Sequence, residues 1–301
     1  MRVVIALGGN ALLKRGEPLE ADVQRDNISK AIKAVAPIAR DHQVVVTHGN
    51  GPQIGLLALQ AAAYRATRPY PLDVLGAESE GMIGYLLEAE LATALPGREI
   101  ATLLTQVEVD PTDPAFEHPT KPIGPLYDEM KAKQLEREWA WPMMRDGALW
   151  RRAVPSPAPV RIREINTIKL LVDAGVIVVC AGGGGIPVIV TWDRRIRGVE
   201  AVIDKDLAAA LLARSVGANA LLLLTDVAAV WTSWPPEMGR ALGRTTPAEL
   251  RAFHFAPGSM GPKVEAACRF VEATGGVAGI GAIGDAEAIL DGRAGTFVGP
   301  R

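Results

Sequence analysis

Four consecutive glycines directly after a strongly apolar segment constrain this chain more than any other feature. Residues 176–180 are long enough and apolar enough for one fully buried strand, and the glycines at 182–185 follow them almost at once. Each glycine loses more backbone freedom on folding than alanine would, so a plain flexible turn needs fewer of them. The run favours a strand that brings bare backbone to the carboxyl edge of a sheet, where open α/β sheets bind their ligands.

Strands and helices alternate along most of the 301 residues. Apolar runs predict buried strands, and apolar residues at helical spacing predict the helices between them. Residues 100–109 are predicted as one strand, and Thr296–Val298 as a final edge strand. The alternation indicates an α/β fold, with a mostly parallel sheet covered by helices on both faces.

Residues 110–160 interrupt this alternation with two proline-rich stretches around a polar helix near residues 129–139. Long inserted segments of this kind are usually functional or disordered. We expect a small subdomain or lid that protrudes from an N-terminal lobe at residues 1–197, with residues 198–301 as a C-terminal, nucleotide-binding lobe.

Composition excludes several classes of function. The formal net charge of -2 gives no general attraction to nucleic acid or acidic membranes. No apolar run approaches the roughly 18 residues that predict a membrane span. Cys180 and Cys268 lie in separate apolar segments and indicate buried thiols in a reducing, cytoplasmic setting. The histidines lack zinc-ligand spacing, so no protein-held metal site is predicted.

Three strands end in glycine-rich turns, ALGGN, THGNG and CAGGGG. Successive backbone N–H groups in such turns form anion sites, strengthened by a following helix N-terminus. Three turns of this kind in one chain indicate that several oxyanions are bound together. The candidate phosphate-binding residues are Gly8, Gly9, Asn10, Gly49, Asn50, Gly51, Gly183 and Gly184. There is no P-loop or protein-kinase motif, and the G-x-G-x-x-G at 279–284 is interpreted as a chance match.

Two lysines stand at predicted helix starts, Lys205 in IDKDL and Lys263 in GSMGPK. A cation there opposes the positive end of the helix dipole at a cost of about 0.3–1 kcal/mol. A solvated surface position is the ordinary alternative for each lysine. Together they favour an anion held between them, as phosphoryl transfer requires, with Asp206 holding the two ammonium groups in place. Lys121, fixed between prolines of the insertion, is a candidate lid cation.

Thr225, Asp226 and Val227 end the ALLLL strand, where they would suit contacts to a nucleotide. An ordinary strand-to-loop cap is the alternative for this pair of polar residues.

The sequence as a whole resembles the carbamate kinase branch of the amino acid kinase family. The resemblance rests on ALGGNALL, HGNGPQIG, PTKPIG, RRAVPSP, AGGGGIPV, AVIDKDLAA and GSMGPKVEAA, which occur in order from the first strand to the last helices. It implies an open, mostly parallel eight-stranded αβα sandwich with a protruding subdomain, usually as a homodimer. PTKPIG and RRAVPSP are specific to this branch, whereas glycine loops alone would indicate only the superfamily.

The resemblance implies reversible phosphoryl transfer between ATP and carbamate, with Mg²⁺ held mainly by the nucleotide phosphates. Many members form ATP from ADP and carbamoyl phosphate during arginine fermentation. By motif, Lys205 and Lys263 would stabilise the transition state, Asp206 would orient them and Lys121 would reach in from the subdomain. The first two glycine loops would hold carbamate and the transferred phosphoryl group. Nucleotide contacts are expected from Thr225, Asp226, Met260 and Gly261.

Two segments depart from the family pattern. Residues 229–236, AVWTSWPP, replace a tyrosine and a short polar loop, and residues 144–150 replace a glycine-rich stretch. Two alternatives to a carbamate kinase remain: a family kinase for another small acid, such as an acylated amino acid, and a nucleotide-binding sensor without turnover.

Overall fold

The structure is a computed structural model that describes residues 1–14, 16–64, 69–233, 238–256 and 259–300. Its strands are β1 (Arg2–Leu7), β2 (Gln43–His48), β3 (Ile100–Leu103), β4 (Gln106–Val109), β5 (Lys121–Tyr127), β6 (Met143–Asp146), β7 (Leu149–Val154), β8 (Pro159–Ile162), β9 (Ile177–Cys180), β10 (Ile186–Val190), β11 (Ile196–Gly198), β12 (Ala220–Thr225), β13 (Val230–Trp231), β14 (Ala241–Leu242), β15 (Arg244–Thr245), β16 (Val277–Ala282) and β17 (Thr296–Val298).

Helices occupy most of the connections between these strands. They are α1 (Gly9–Leu12), α2 (Ala21–Asp41), α3 (Gly51–Tyr64), α4 (Leu72–Ala94), α5 (Glu129–Trp139), α6 (Ile165–Asp173), α7 (Lys205–Val216), α8 (Pro247–Leu250), α9 (Met260–Thr274) and α10 (Ala286–Leu290). In the part of the chain described, no helix is long and apolar enough to cross a membrane.

The main sheet has eight strands in the order β15-β17-β16-β12-β1-β2-β9-β3. All neighbouring strands are parallel except β16 and β17. Alternate side chains of β1 enter two separate cores, because successive residues of a strand point to opposite faces. Val4 and Ala6 pack under α6, α7 and α9, whereas Val3, Ile5 and Leu7 pack under α2, α4 and α10. The predicted α/β sandwich is confirmed.

Two strand predictions were wrong. Residues 100–109 form two strands, since β3 belongs to the main sheet and β4 to a second sheet of order β11-β10-β4-β8. The chain leaves the main sheet at Thr105, whose N–H donates to the Glu80 side chain. Thr296–Val298 is not an edge strand, because β17 lies between β16 and the two-residue β15.

The 110–160 segment contains the three-stranded sheet β5-β7-β6, packed with α5. Residues 144–150, where the family pattern has a glycine-rich stretch, form most of the hairpin of β6 and β7, with Gly147 at a φ of 65°. An apolar cluster joins this subdomain to the lobe beneath it, with Ile123, Trp141 and Val154 packed among residues of α3 and α4.

Candidate active site

A cleft of about 620 Å³ lies at the carboxyl ends of β1, β2 and β12. Most of the predicted site residues line it: Gly8, Gly9, Gly49, Asn50, Gly51, Lys121, Gly183, Lys205, Asp206, Thr225, Asp226, Val227, Met260 and Lys263. Gly184 and Gly261 are close in sequence to lining residues but are not among them. The side chain of Asn10 lies outside the described part of the structure. The topology therefore brings together motifs from both halves of the chain.

Two lysines and one aspartate form the charged centre of the cleft. Asp206 Oδ1 accepts a hydrogen bond from Lys205 Nζ at 2.5 Å, and its Oδ2 accepts one from Lys263 Nζ at 2.9 Å. The side chains are only 12%, 5% and 11% exposed for Lys205, Asp206 and Lys263 respectively. One carboxylate thus holds two buried ammonium groups side by side, which leaves the cluster with a net positive charge for an anionic ligand.

Burial and mutual charge set the protonation of this cluster. Burial lowers the pKa of Lys205 to about 8, although Asp206 opposes the shift. Burial acts on Lys263 in the same direction, but Asp206 outweighs it and the net shift of the Lys263 pKa is upward. Burial acts to raise the pKa of Asp206, but the two ammonium groups hold it well below its usual range. Asp206 therefore stays ionised, holds the two lysines by hydrogen bonds and is a poor general base.

Asp204 links this cluster to the subdomain and was not identified from the sequence. It is the N-cap of α7, where Oδ1 accepts from the N–H groups of Asp206 and Leu207, and its Oδ2 accepts from Lys121 Nζ at 2.9 Å. Burial acts to raise the pKa of Asp204, but Lys121 outweighs it and the net shift is downward. The aspartate before an alanine-rich helix is a recognisable N-cap pattern; the sequence gives no sign of its second partner.

In the four-glycine loop, the backbone angles require glycine as much as the lack of space for a side chain does. Gly183, Gly184 and Gly185 all have positive φ, at 66°, 99° and 86°, a region that other residues enter only with strain. The N–H groups of Gly182, Gly184 and Gly185 donate to protein acceptors. Gly183 is the glycine of this loop that lines the cleft.

Polar side chains lie directly behind this loop. A Cβ built on Gly182 would fall 2.3 Å from His48 Nε2, and one on Gly183 would fall 2.1 Å from Asn50 Nδ2. Asn50 Nδ2 itself donates to Ser79 Oγ at 2.8 Å. The glycines are thus required because the loop rests on the side chains of the neighbouring glycine-rich turn.

Glu80 is the second residue that the sequence reasoning missed. It is 1% exposed, its Oε1 accepts from Gly182 N at 2.8 Å, and its Oε2 accepts from Thr105 N at 3.1 Å. Burial raises the pKa of Glu80 to about 8, and these two hydrogen bonds offset part of the shift. The sequence signal that could have identified Glu80 is its position on the apolar face of α4, in line with Leu72, Gly76, Ile83 and Leu87.

Glu80 predicts a pH dependence of stability. Because the pKa of Glu80 in the folded state, about 8, lies above its ordinary value of 4.5, the folded state binds more protons than the unfolded state between these two values. The free energy of unfolding should therefore fall as pH rises from about 5 to 8, by up to about 1.4 kcal/mol per pH unit from this group. In Glu80→Gln this contribution should be absent.

Urea unfolding at pH 5, 6.5 and 8 measures the effect as the difference between wild type and Glu80→Gln. Glu78→Gln, which removes an exposed carboxylate from the same helix, is the matched control and should run parallel to wild type. A Glu80→Gln curve that also runs parallel to wild type would contradict the assignment.

The end of β12 contributes Thr225, Asp226 and Val227 to the cleft, and residues around Met260 also line it. Thr225 Oγ1 donates to Asp226 Oδ1 at 3.0 Å. Of the divergent segment 229–236, Trp231, Thr232 and Ser233 line the cleft, whereas 234–236 lie outside the described residues. The described part of the divergent segment therefore forms part of the cleft wall.

The residues present suit a magnesium ion held by phosphates. Among the described residues, no three His, Cys, Asp or Glu side chains are grouped as a metal site. Mg²⁺ commonly binds through one or two carboxylates plus substrate phosphates and water. Asp226, a carboxylate that lines the cleft, is the residue that fits such a role.

Comparisons with known proteins relate the whole chain to one family. The sequence profile of the amino acid kinase family matches residues 1–279. A carbamate kinase of Rhizobium meliloti is 57% identical over 301 residues, covering 99% of this chain and 93% of the relative. The solved carbamate kinase of Giardia lamblia bound to citric acid has a TM-score of 0.93 at 41% identity, covering 99% of this chain and 98% of its own. The same Giardia enzyme bound to AMP-PNP has a TM-score of 0.89, at the same identity and coverage.

Proposed function

The chain belongs to the amino acid kinase family and is a carbamate kinase, and we propose a mechanism for it. The phosphoryl group passes directly between bound ATP and bound carbamate. The observation that supports the direct route is the cluster of Lys205, Asp206 and Lys263 at the centre of the cleft. The first two glycine loops and the strand end at 225–227 all line this cleft. The transferred group would lie between the two lysines.

The two lysines act by electrostatics. A phosphoryl group in transfer spreads negative charge over its peripheral oxygens, and catalysis of this step depends mainly on positioning and charge stabilisation. Lys205 and Lys263 carry that role because Asp206 fixes both ammonium groups before substrate arrives, so no reorganisation is needed. Asp206 remains ionised and orients the lysines.

Carbamate and carbamoyl phosphate would bind at the loops that contain Gly8, Gly9, Asn10 and the 49–51 turn. These loops pack closely at Gly49, where a Cβ would fall 3.1 Å from Gly9 N and 3.4 Å from Lys205 Cδ. The close approach of these loops to Lys205 leaves room for a small planar acid. Gly183 would complete this part of the cleft, with Gly184 next to it in the loop.

ATP or ADP would bind along Thr225, Asp226, Val227 and the turn at Met260 and Gly261, with Mg²⁺ on its phosphates. The AMP-PNP complex of the Giardia relative supports a nucleotide site in this fold. Magnesium would supply charge neutralisation to the phosphates. Lys121, brought over the cleft by the subdomain and held by Asp204, would add a third positive group.

The choice of acceptor is tested by a substrate panel. With ATP and Mg²⁺, we expect ADP formation with carbamate, generated from bicarbonate and ammonia, and none above background with N-acetylglutamate. The opposite preference would favour a family kinase for an acylated amino acid. Nucleotide binding without turnover on any acid would favour the sensor alternative.

We also infer a homodimer in the cytoplasm. Val74, Met82 and Tyr85 are exposed on α4, and Leu104 is 53% exposed at the end of β3, the outermost strand of the main sheet. Exposed apolar groups beside an open sheet edge suit a self-complementary contact between two copies. Sedimentation velocity should give twice the monomer mass, and a monomer at micromolar concentration would contradict the inference.

A further inference from the structure

Two glycine backbones meet where the subdomain rests on the N-terminal lobe. A Cβ built on Gly55 of α3 would fall 1.9 Å from Gly124 Cα and 2.3 Å from Gly124 N in β5. Real Cβ atoms do not approach backbone so closely, and backbone cannot turn aside as a flexible side chain can. With this packing, position 55 accepts only glycine.

The other half of the contact is held in an unusual conformation. Gly124 has a φ of 75°, and its carbonyl accepts a hydrogen bond from Arg151 Nε at 2.9 Å. The register of β5 against β7 also shifts between Ile123 and Tyr127. The strand is therefore bent at the point where it touches α3, and the bend is fixed from the subdomain side.

Both elements lead directly into the cleft. Lys121 stands three residues before Gly124 in the same strand and reaches Asp204 at 2.9 Å. Gly51 and Pro52, one turn before Gly55 in α3, line the cleft. Because both distances along the chain are short, a shift of β5 at Gly124 must move Lys121.

We propose that the contact between Gly55 and Gly124 is a seat that sets the depth at which Lys121 enters the active site. Gly55 and Gly124 are positioning residues, and the inference rests on the proposed role of Lys121 only for its effect on rate. A methyl group at position 55 would need roughly 1.5 Å more room to reach ordinary van der Waals contact, and misplacements of about 1 Å can cost about 100-fold in rate.

Kinetics of Gly55→Ala, Lys121→Ala and the double variant test the seat. We expect Gly55→Ala to lower kcat by about 10- to 100-fold, with the affinity for ADP unchanged because the nucleotide side of the cleft is untouched. In the Lys121→Ala background the same change should have little further effect, since the residue that it positions is gone. Gly76→Ala is the control, because a Cβ at this buried helix position meets nothing within 4 Å.

Chemical labelling gives a readout that does not depend on activity. Acetylation of Lys121, followed by mass spectrometry, should be faster in Gly55→Ala than in wild type, with Lys205 and Lys263 still protected. Gly124→Ala, whose Cβ would lie 3.3 Å from Gly55 Cα and would also strain the backbone at its φ of 75°, should show the same pattern and serves if Gly55→Ala fails to fold.

The proposal would be overturned if both glycine variants kept the wild-type kcat and the wild-type labelling rate of Lys121. It would also be overturned if the fold-losses in kcat caused by Gly55→Ala and by Lys121→Ala multiplied in the double variant. If Lys121→Ala itself keeps wild-type activity, the proposed role of Lys121 fails, while faster labelling of Lys121 in Gly55→Ala would still support the seat.

Discussion

Replacing Lys205 by alanine should lower kcat by about 1,000-fold. Removal of one hydrogen-bond donor from a preorganised charge-stabilising site lowers kcat by about 100- to 1,000-fold, and removal of a cation that stabilises a phosphoryl-transfer transition state lowers it by up to about 10⁵-fold. The lysine is 12% exposed and bound to Asp206, so no other side chain can take its position without moving the cluster. The dissociation constant for ADP should change by less than about tenfold, since the lysine acts on the transferred group.

Stopped-flow or coupled assays of ATP formation give kcat, and calorimetry gives the affinity for ADP. Lys33→Ala, which removes an exposed lysine from α2, is the control and should behave as wild type. Near-normal turnover of Lys205→Ala would remove this residue from the mechanism. A loss confined to nucleotide affinity would move its role to substrate binding.

Asp206→Asn should damage both stability and catalysis. The change leaves two ammonium groups buried beside each other without their carboxylate, and removing one partner of a buried ion pair typically costs about 3–5 kcal/mol. We expect a loss near the lower value at pH 6.5, where both lysines are charged. The loss should shrink at pH 9, because Lys205, whose pKa is already lowered to about 8, becomes neutral.

Turnover of Asp206→Asn should fall by about 100-fold or more, since the two lysines lose their fixed orientation. Urea unfolding at the two pH values measures the stability, with Asp26→Asn on the exposed face of α2 as the control. A stability change equal to that of Asp26→Asn, together with kcat within tenfold of wild type, would contradict the assigned role.

The cluster of Lys205, Asp206 and Lys263 was predictable because its members occupy short local motifs. Lys205 and Asp206 adjoin each other in IDKD, and Lys263, like Lys205, stands at a helix start where a cation opposes the helix dipole. The strands whose carboxyl ends form the cleft were evident from their apolar runs, and the topology of an α/β sheet brings those ends to one edge.

Residues that act across elements were not predictable in this way. Glu80 lies in the middle of α4, and its role depends on how that helix packs under the ends of β3 and β9. The contact between Gly55 and Gly124 depends on the position of the whole subdomain. Likewise, strand propensity could not predict the break at Thr105, because the residues of β3 and of β4 both favour strands. The two strands differ in the sheet that each one joins.

Reversible transfer between carbamoyl phosphate and ADP is tested most directly by ATP formation from ADP, Mg²⁺ and carbamoyl phosphate, with acetyl phosphate as the control donor. We predict rapid ATP formation from carbamoyl phosphate, much faster than from acetyl phosphate, and its near loss in Lys205→Ala. No ATP from either donor, with ADP still bound by the wild-type protein, would contradict the function and return attention to the divergent 229–236 segment.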